Sequence, residues 1–159
     1  MHSFERIETE VFKTGQTARR QQKEVVRSYK EDGSVLTEVD LAIEKQLTTV
    51  IKSEFPDANI VSEEYPTEFR SGRDYTFTID PIDGTDTFSQ GMPGWCVAVG
   101  ILDSELEPIG GIVAAPRWGS DPDSGLFLRV LPGETLKMDG MPIHTKSGNK
   151  IDGSQLMVG

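Results

Sequence analysis

The chain has 159 residues, of which 36% are hydrophobic and 26% charged, a composition typical of one globular domain. Its net charge of −10 argues against nucleic-acid binding, because the positive charge that neutralises phosphates is lacking. No apolar run approaches the roughly 20 residues of a membrane-spanning helix. The charged start MHSFERIETE also lacks the apolar core of a signal peptide. We therefore expect a cytoplasmic protein without nucleic-acid or membrane partners.

The first helix is predicted over residues 4–29, where hydrophobic side chains recur at roughly helical spacing. The segment KEDGSV that follows has the composition of a turn. This turn separates the first helix from the second.

The second helix is predicted to begin at Thr37-Glu38-Val39-Asp40, which has the pattern of a capping box, and to end before Pro56. In that pattern the carboxylate of Asp40 satisfies backbone amides of the first helical turn. Hydrophobic residues line one face of the helix and polar residues fill the other: Ile43, Leu47, Val50, Ile51 and Phe55 against Glu44, Lys45, Thr48 and Lys52.

Short β-strands separated by turns are predicted after the second helix. The segments are ANIVSE (58–63), YTFTID (75–80), WCVAVGIL (95–102), PIGGIVAA (108–115), GLFLRV (125–130), ETLKM (134–138) followed by PIHT (142–145), and QLMVG (155–159). Asp139-Gly140 predicts a tight hairpin turn. Two helices followed by a run of strands indicate an α+β fold, with the helices packed on a largely antiparallel β-sheet.

The stretch DPIDGT, at residues 80–85, places two carboxylates directly after a predicted buried strand. A plain turn is one interpretation, because Asp, Pro and Gly are common turn residues. Acidic residues are dense in this part of the chain, however: Glu63, Glu64, Asp80, Asp83 and Asp86. Carboxylates repel one another unless a cation lies among them, and hard cations such as Mg²⁺ take oxygen ligands of this kind. A metal site is therefore the alternative to a turn.

Two other interpretations of DPIDGT fail at particular positions. An EF-hand loop requires Gly at its sixth position and Glu at its twelfth, but counting from Asp80 gives Thr85 and Gly91. A haloacid-dehalogenase-type phosphatase forms an aspartyl-phosphate, and this chain has Pro81 where the nucleophilic aspartate would stand.

Three features together resemble the inositol monophosphatase family: DPIDGT after an apolar strand, the acidic pair in VSEEY, and TEVD at a helix start. The resemblance extends from about residue 4 to the C-terminus. It implies the N-terminal domain of the sugar-phosphatase fold and an Mg²⁺-dependent, lithium-sensitive phosphomonoesterase. The substrate is expected to be a small phosphorylated polyol, sugar or nucleotide, attacked directly by water. A homodimer is expected on the same ground.

The resemblance also implies metal ligands. Glu63, Asp80 and the backbone carbonyl of Ile82 match the ligands of a first Mg²⁺. Asp80 and Asp83 match those of a second, and Glu63 those of a looser third. Up to three Mg²⁺ ions are expected in a complete site, with Mn²⁺ as a substitute and Li⁺ as an inhibitor. Glu64 is expected just outside the ligands.

Catalytic and phosphate-binding residues follow from the same motifs. Thr85 and Asp40 match the pair that orients and deprotonates the attacking water. Gly84 and Thr85 match the positions whose backbone N–H groups receive the phosphate. Lys30 is similar to a substrate-loop lysine of the family or is a solvated surface residue. Asp86 caps a helix or lies near the substrate entrance, and capping is the favoured interpretation.

The chain departs from the family in one important respect. Members continue into a second domain with a WDxAAG-like motif, whose aspartate completes the second metal site. Here Trp95 is followed by Cys and Trp118 by Gly, so that ligand is missing. Residues 1–159 are therefore expected to form the N-terminal α+β metal-binding domain, with little activity unless another chain supplies the rest. The alternative is a catalytically silent module that binds metal or phosphate.

Overall fold

The computed structural model describes residues 4–65, 68–119 and 123–143. The α-helices in these ranges are α1 (Phe4–Gln21), α2 (Glu38–Glu54) and α3 (Thr85–Ser89). The strands in the same ranges are β1 (Arg27–Tyr29), β2 (Val35–Thr37), β3 (Asn59–Ser62), β4 (Thr76–Asp83), β5 (Cys96–Leu102), β6 (Pro108–Ala115), β7 (Leu126–Val130), β8 (Lys137–Met138) and β9 (Met141–Pro142). The predicted strand QLMVG lies outside the described residues.

Strands β3 to β9 form one sheet in the order of the chain, and β1 and β2 form a separate hairpin. Only β3 and β4 run parallel, and every other pair of neighbours in the described sheet is antiparallel. Helices α1 and α2 contact each other and pack on β4, β5 and β6. The α+β fold, with helices on a largely antiparallel sheet, is confirmed.

The hydrophobic core lies between α1 and α2 and one face of the sheet. Its fully buried members come from both layers: Ile7, Val11, Leu47, Ile51, Phe77, Val97 and Ile112. Strand β5 shows how the sheet contributes to this core, because its residues alternate between buried and partly exposed along the whole strand. One face of β5 is therefore part of the core, and the other looks away from the helices.

Helix α2 begins as predicted. The side chain of Thr37 accepts a hydrogen bond from the Asp40 amide while the Asp40 carboxylate accepts one from the Thr37 amide, which completes the capping box. The helix ends before Pro56, where the Phe55 amide bonds the carbonyl of Ile51. One assignment on this helix is wrong: Glu44 is buried, although its position predicted an exposed polar face.

The prediction of one helix over residues 4–29 is also wrong at its C-terminal end. Helix α1 stops at Gln21, a 3-10 turn follows, and Val25 adopts an extended conformation. Strand β1 then pairs with β2, with Arg27 opposite Thr37. The β-branched pair Val25-Val26 favours extended backbone, and pairing with a strand further along the chain stabilises it.

The predicted strands after α2 are confirmed from β3 to β7. The Asp139-Gly140 turn is confirmed as well: both residues have positive φ, 50° and 80°, and Met138 pairs with Met141 across it. Helix α3 has no counterpart among the predicted elements. Among the described residues, no helix is long and apolar enough to span a membrane.

Candidate metal and phosphate site

The carboxyl ends of β3 and β4 meet at one edge of the sheet, because these two strands are parallel. Their register pairs Ser62 with Ile79. The residues that follow are Glu63, just after β3 ends, and Asp80, within β4, and they therefore lie at the same level of the sheet. This topology brings Glu63 of the VSEEY segment close to Asp80 of the DPIDGT segment, although 17 positions of the sequence separate these two acids.

A β-bulge in β4 brings two aspartates to the same face of the sheet. Asp80 pairs with Ala98 and Asp83 pairs with Cys96, so three steps along β4 correspond to two along β5. In a regular strand, residues three apart point to opposite faces, and the extra residue of a bulge corrects this. Pro81, which has no N–H to donate, lies within the irregular part, where no ladder bond is required of it.

Asp80 has a buried oxygen that lacks a partner. Its Oδ1 atom accepts no hydrogen bond from the described residues. Burial, and then the charges of Glu63 and Asp83, raise the pKa of Asp80 to about 7. An ionised carboxylate in such surroundings is destabilising unless a cation accompanies it. A cation beside Asp80 Oδ1 would therefore stabilise the ionised form of this carboxylate.

Asp83, on the same face, is exposed. Its Oδ2 atom accepts a long contact of 3.7 Å from the thiol of Cys96. Burial, and then the charge of Asp83, raise the pKa of Cys96 to about 12, so this thiol stays protonated near neutral pH. Cys96 is thus a weak donor to Asp83, and Asp83 keeps most of its acceptor capacity for another group.

Glu63 and Glu64 share one cation, the ammonium group of Lys30. Lys30 Nζ lies 3.1 Å from Glu63 Oε1 and 2.7 Å from Glu64 Oε1. The Glu64 side chain is 3% exposed, that of Lys30 is 23% exposed and that of Glu63 is 46% exposed. Burial raises the pKa of Glu64, and the hydrogen bond from Lys30 opposes that shift. Lys30 is therefore not a solvated surface residue.

Glu44 is a functional support that the sequence interpretation missed. Its carboxylate accepts a hydrogen bond from the Ser62 hydroxyl and another, of 2.9 Å, from the Glu64 amide. It thereby fixes the end of β3 and the backbone that carries Glu63. One signal was available: Glu44 lies four residues after Asp40, and residues four apart share one face of a helix.

Asp40 uses its two oxygens for two purposes. Oδ2 accepts hydrogen bonds from the backbone amide and the hydroxyl of Thr37, which caps α2. Oδ1 faces the hydroxyl of Thr85 at 3.1 Å. Burial raises the pKa of Asp40, and the hydrogen bonds from Thr37 and Thr85 oppose the shift. Capping and contact with Thr85 are therefore compatible in one carboxylate.

The Thr85 hydroxyl has a choice of two acceptors. It lies 3.1 Å from Asp40 Oδ1 and 2.9 Å from the carbonyl oxygen of Ile82, and a hydroxyl donates one proton at a time. When Thr85 donates to Asp40, the Ile82 carbonyl is released from this contact. The hydroxyl thus connects the buried Asp40 to the backbone of DPIDGT.

Gly84 forms the turn between β4 and α3. It has a φ of 89°, in the left-handed region, and a Cβ built on it would lie 2.8 Å from the carbonyl oxygen of Gly94. Gly84 is the N-cap of α3, and no side chain caps that helix. The favoured interpretation of Asp86 as the cap is therefore wrong. Asp86 lies in the first turn, accepts a 2.9 Å hydrogen bond from Gln90 and faces Arg27 at 3.9 Å.

These residues line one open cleft of about 440 Å³. Its walls come from the β1–β2 hairpin, the end of β3, the bulge of β4 and the start of α3: Gly33, Ser34, Val35, Glu63, Asp80, Ile82, Asp83, Gly84, Thr85 and Asp86. The structure thus brings the predicted metal and phosphate residues together. Asp40 reaches the cleft through Thr85, and Glu64 lies behind Glu63 with Lys30.

In the part of the chain that the structure describes, no three His, Cys, Asp or Glu side chains are arranged as a ready metal site. Glu63, one of the proposed ligands, forms an ion pair with Lys30 instead. The donor set nevertheless suits a hard cation: carboxylates, a backbone carbonyl and one buried oxygen without a partner.

Gln22 positions the segment that follows α3, and no local pattern in the sequence predicts this role. Its side-chain amide donates to the carbonyls of Phe88 and Met92, at 2.9 and 2.8 Å. Its oxygen accepts a 2.8 Å hydrogen bond from Arg117. These contacts hold the far end of α3 and so support the turn at Gly84.

The chain belongs to the inositol monophosphatase family, whose sequence model matches residues 4–158. It is 35% identical over 123 residues to a fructose-1,6-bisphosphatase/inositol-1-monophosphatase of Aquifex aeolicus, which covers 72% of this chain and 46% of that protein.

Solved structures show the same fold. An IMPase of Thermotoga maritima superimposes with a TM-score of 0.76 at 26% identity, covering 92% of this chain and 55% of that one. An IMPase/NADP phosphatase complexed with Mg²⁺ and phosphate gives a TM-score of 0.68 at 19% identity, covering 86% and 50%. The chain thus spans about half the length of the relatives it matches.

Proposed function

We propose that this protein is the metal-binding and phosphate-binding part of an Mg²⁺-dependent phosphomonoesterase that acts on a small phosphorylated polyol, sugar or nucleotide. One observation carries the proposal: Asp80 has a buried oxygen without a partner among the described residues, in the same cleft as Asp83, Gly84 and Thr85. A cation beside Asp80 would offset the unfavourable burial of this oxygen. It would also attract an anionic substrate to a protein of net charge −10.

Glu63, Asp80, Asp83 and the carbonyl of Ile82 are the residues we propose as ligands, with up to three Mg²⁺ ions in a complete site. When bound, Mg²⁺ polarises a phosphate ester and makes water more acidic. Mn²⁺ has similar ligand preferences and is expected to substitute. Inhibition by Li⁺ is proposed from family membership. Glu64 contributes indirectly, since it lies against Lys30 rather than in the cleft.

Thr85 and Asp40 are proposed to orient the attacking water and accept its proton. The Thr85 hydroxyl is 3.1 Å from Asp40 Oδ1, which allows a proton to move from a water held by Thr85 toward the carboxylate. Burial raises the pKa of Asp40, and a carboxylate with a raised pKa is a stronger proton acceptor.

Gly84 and Thr85 are proposed to receive the phosphate through their backbone N–H groups. A glycine suits this place, because the turn has a positive φ of 89° and a side chain would press on the carbonyl oxygen of Gly94, which would displace the backbone N–H groups.

A complete site is proposed to need a second region with one more carboxylate. The length of the relatives supports this, since the chain spans about half of each. The cytoplasmic location and the homodimer expected by resemblance remain proposals. The same half-length leaves a competing function, a module that binds Mg²⁺ and phosphate without turnover.

The test is phosphate release in the presence of Mg²⁺, by a full-length protein that carries the second region, from inositol 1-phosphate, fructose 1,6-bisphosphate, histidinol phosphate and 3′-phosphoadenosine 5′-phosphate. We expect release from at least one of these, loss of release in Asp83→Asn, and no change in the control Asp57→Asn, a side chain 91% exposed outside the cleft. Mg²⁺-dependent binding of inorganic phosphate without release from any ester would favour the silent module instead.

A further inference from the structure

In the described ranges, Lys30 is the cation that forms an ion pair with a proposed metal ligand. Its ammonium group bonds two glutamates at once, Glu63 at 3.1 Å and Glu64 at 2.7 Å. Because Glu64 is almost fully buried, its charge requires a partner, and Lys30 is the one the structure provides. Glu63 is different, since it is partly exposed and lines the cleft.

The β1–β2 hairpin holds Lys30 in this place. The Lys30 amide donates to the Ser34 carbonyl at 2.9 Å, and the Gly33 amide donates to the Lys30 carbonyl at 3.0 Å. Asp32 accepts hydrogen bonds from both the amide and the hydroxyl of Ser34. The turn is therefore internally braced, and Gly33 and Ser34 themselves line the cleft.

The charges of the cleft are only partly balanced by this contact. Lys30 engages Glu63, but Asp80 Oδ1 still lacks a partner in the described ranges. The next cation along the hairpin, Arg27, faces Asp86 at 3.9 Å. The ammonium group of Lys30 thus balances the charge of Glu63, and the charges of the other two proposed ligands, Asp80 and Asp83, are not balanced by this contact.

We propose that Lys30 is an internal counter-ion that competes with the divalent cation for Glu63 and thereby sets the affinity of the site for metal. The inference rests on the proposed function, because it requires Glu63 to be a metal ligand. Competition for one carboxylate is a negative coupling, and such coupling is reciprocal: the metal weakens the Lys30–Glu63 contact as much as that contact weakens the metal.

The experiment compares Mg²⁺ binding by isothermal titration in the wild-type chain, in Lys30→Met and in Lys45→Met. Methionine keeps an apolar stem of similar length and removes the charge. Lys45 is an exposed lysine on α2, so its variant has the same net charge without touching the cleft. We expect Lys30→Met to bind Mg²⁺ about tenfold more tightly. Lys45→Met and Lys30→Arg, which retains a cation at the site, should stay near the wild-type value.

Thermal unfolding supplies a second measurement that a purely structural role would not reproduce. In EDTA, Lys30→Met should unfold at a lower temperature than wild type, because Glu64 loses its partner. Saturating Mg²⁺ should narrow the difference, because the metal takes over part of the balancing charge. If Lys30→Met does not fold, Lys30→Gln provides the same comparison.

Three results would overturn the inference. If wild type and Lys30→Met bind Mg²⁺ with equal affinity, Lys30 does not compete, although the proposed metal site stands. If none of the chains binds Mg²⁺, the inference fails together with the proposed metal site. If Lys30→Met lowers the unfolding temperature by the same amount with and without Mg²⁺, Lys30 stabilises the fold and does not compete with the metal.

Discussion

Asp80 lines the cleft and Asp40 is connected to it through Thr85, yet the surroundings of these two acids differ in one decisive respect. Asp40 is fully buried, and each of its oxygens accepts at least one hydrogen bond, from Thr37 or from Thr85. Asp80 keeps a buried oxygen that no described residue satisfies. A buried carboxylate oxygen without a partner is uncommon in proteins, and it fits the proposed role of Asp80 as a metal ligand.

The largest effect on stability is expected at Asp40. Asp40→Ala removes the carboxylate half of the capping box at α2 and leaves the Thr37 amide and hydroxyl buried without this acceptor, which should cost about 1–3 kcal/mol in the free energy of unfolding. Urea unfolding in EDTA measures it. Glu38→Ala, an exposed acid in the same helical turn, should change stability by less than about 0.5 kcal/mol. Equal losses of stability in Asp40→Ala and Glu38→Ala would show that the hydrogen bonds of Asp40 do not stabilise the fold.

The turn between β4 and α3 provides a smaller effect with a matched control. Gly84→Ala should lower stability by about 2 kcal/mol, because it adds a contact with the Gly94 carbonyl to the strain of a positive φ. Gly33→Ala has nearly the same φ, 85°, in open space and should cost about 1 kcal/mol from the backbone alone. Thermal unfolding separates them, and a Gly33→Ala loss as large as that of Gly84→Ala would refute the crowding at Gly94.

The pH dependence of stability sharpens the contrast further. Asp80 has a folded pKa of about 7, above its usual value, so the folded state binds this proton more tightly than the unfolded state. Its stabilising contribution is complete below the unfolded pKa and declines as pH rises through about 7. The raised pKa values of Asp40 and Glu64 act in the same direction.

We therefore expect metal-free protein to lose stability between about pH 4 and pH 8. Asp80→Asn should flatten that slope more than Asp57→Asn does. Urea unfolding at several pH values in EDTA provides the measurement. A slope that Asp80→Asn leaves unchanged would mean that Asp80 is ionised throughout this range.

The smallest effect is expected at the rim of the cleft. Arg27 and Asp86 are 3.9 Å apart and partly exposed, so Arg27→Gln should change stability by no more than about 0.5 kcal/mol. Chemical unfolding of wild type and Arg27→Gln at low and high salt measures this change in the free energy of unfolding. A larger loss would show that Arg27 does more in the cleft than face Asp86.

The features that the sequence predicted correctly are those with local causes. The capping box at Thr37 and Asp40, the Asp139-Gly140 turn and the alternation along β5 each depend on residues close together in the chain. The grouping of Glu63, Asp80 and Asp83 in one cleft followed from the family motifs, and the structure shows how the parallel β3–β4 pair and the bulge produce it.

The features that were missed depend on distant parts of the chain. Lys30 meets Glu63 and Glu64 across 33 and 34 residues, and Gln22 meets Phe88 across 66. Strand β1 exists because β2 is available to pair with it, and a helical pattern therefore predicted the wrong end for α1. Hydrophobic periodicity carries no information about which polar groups such contacts will join.

Asp80 is proposed to require a cation, whereas Asp40 is satisfied by Thr37 and Thr85, and one set of unfolding temperatures tests this difference. Wild type and Asp80→Asn are compared at about pH 8, above the raised pKa of Asp80, in EDTA and in saturating Mg²⁺. The expected result is that Asp80→Asn unfolds at a higher temperature than wild type in EDTA and is stabilised little by Mg²⁺, whereas wild type is stabilised clearly. A variant that is less stable in EDTA and still gains as much from Mg²⁺ as wild type would contradict it.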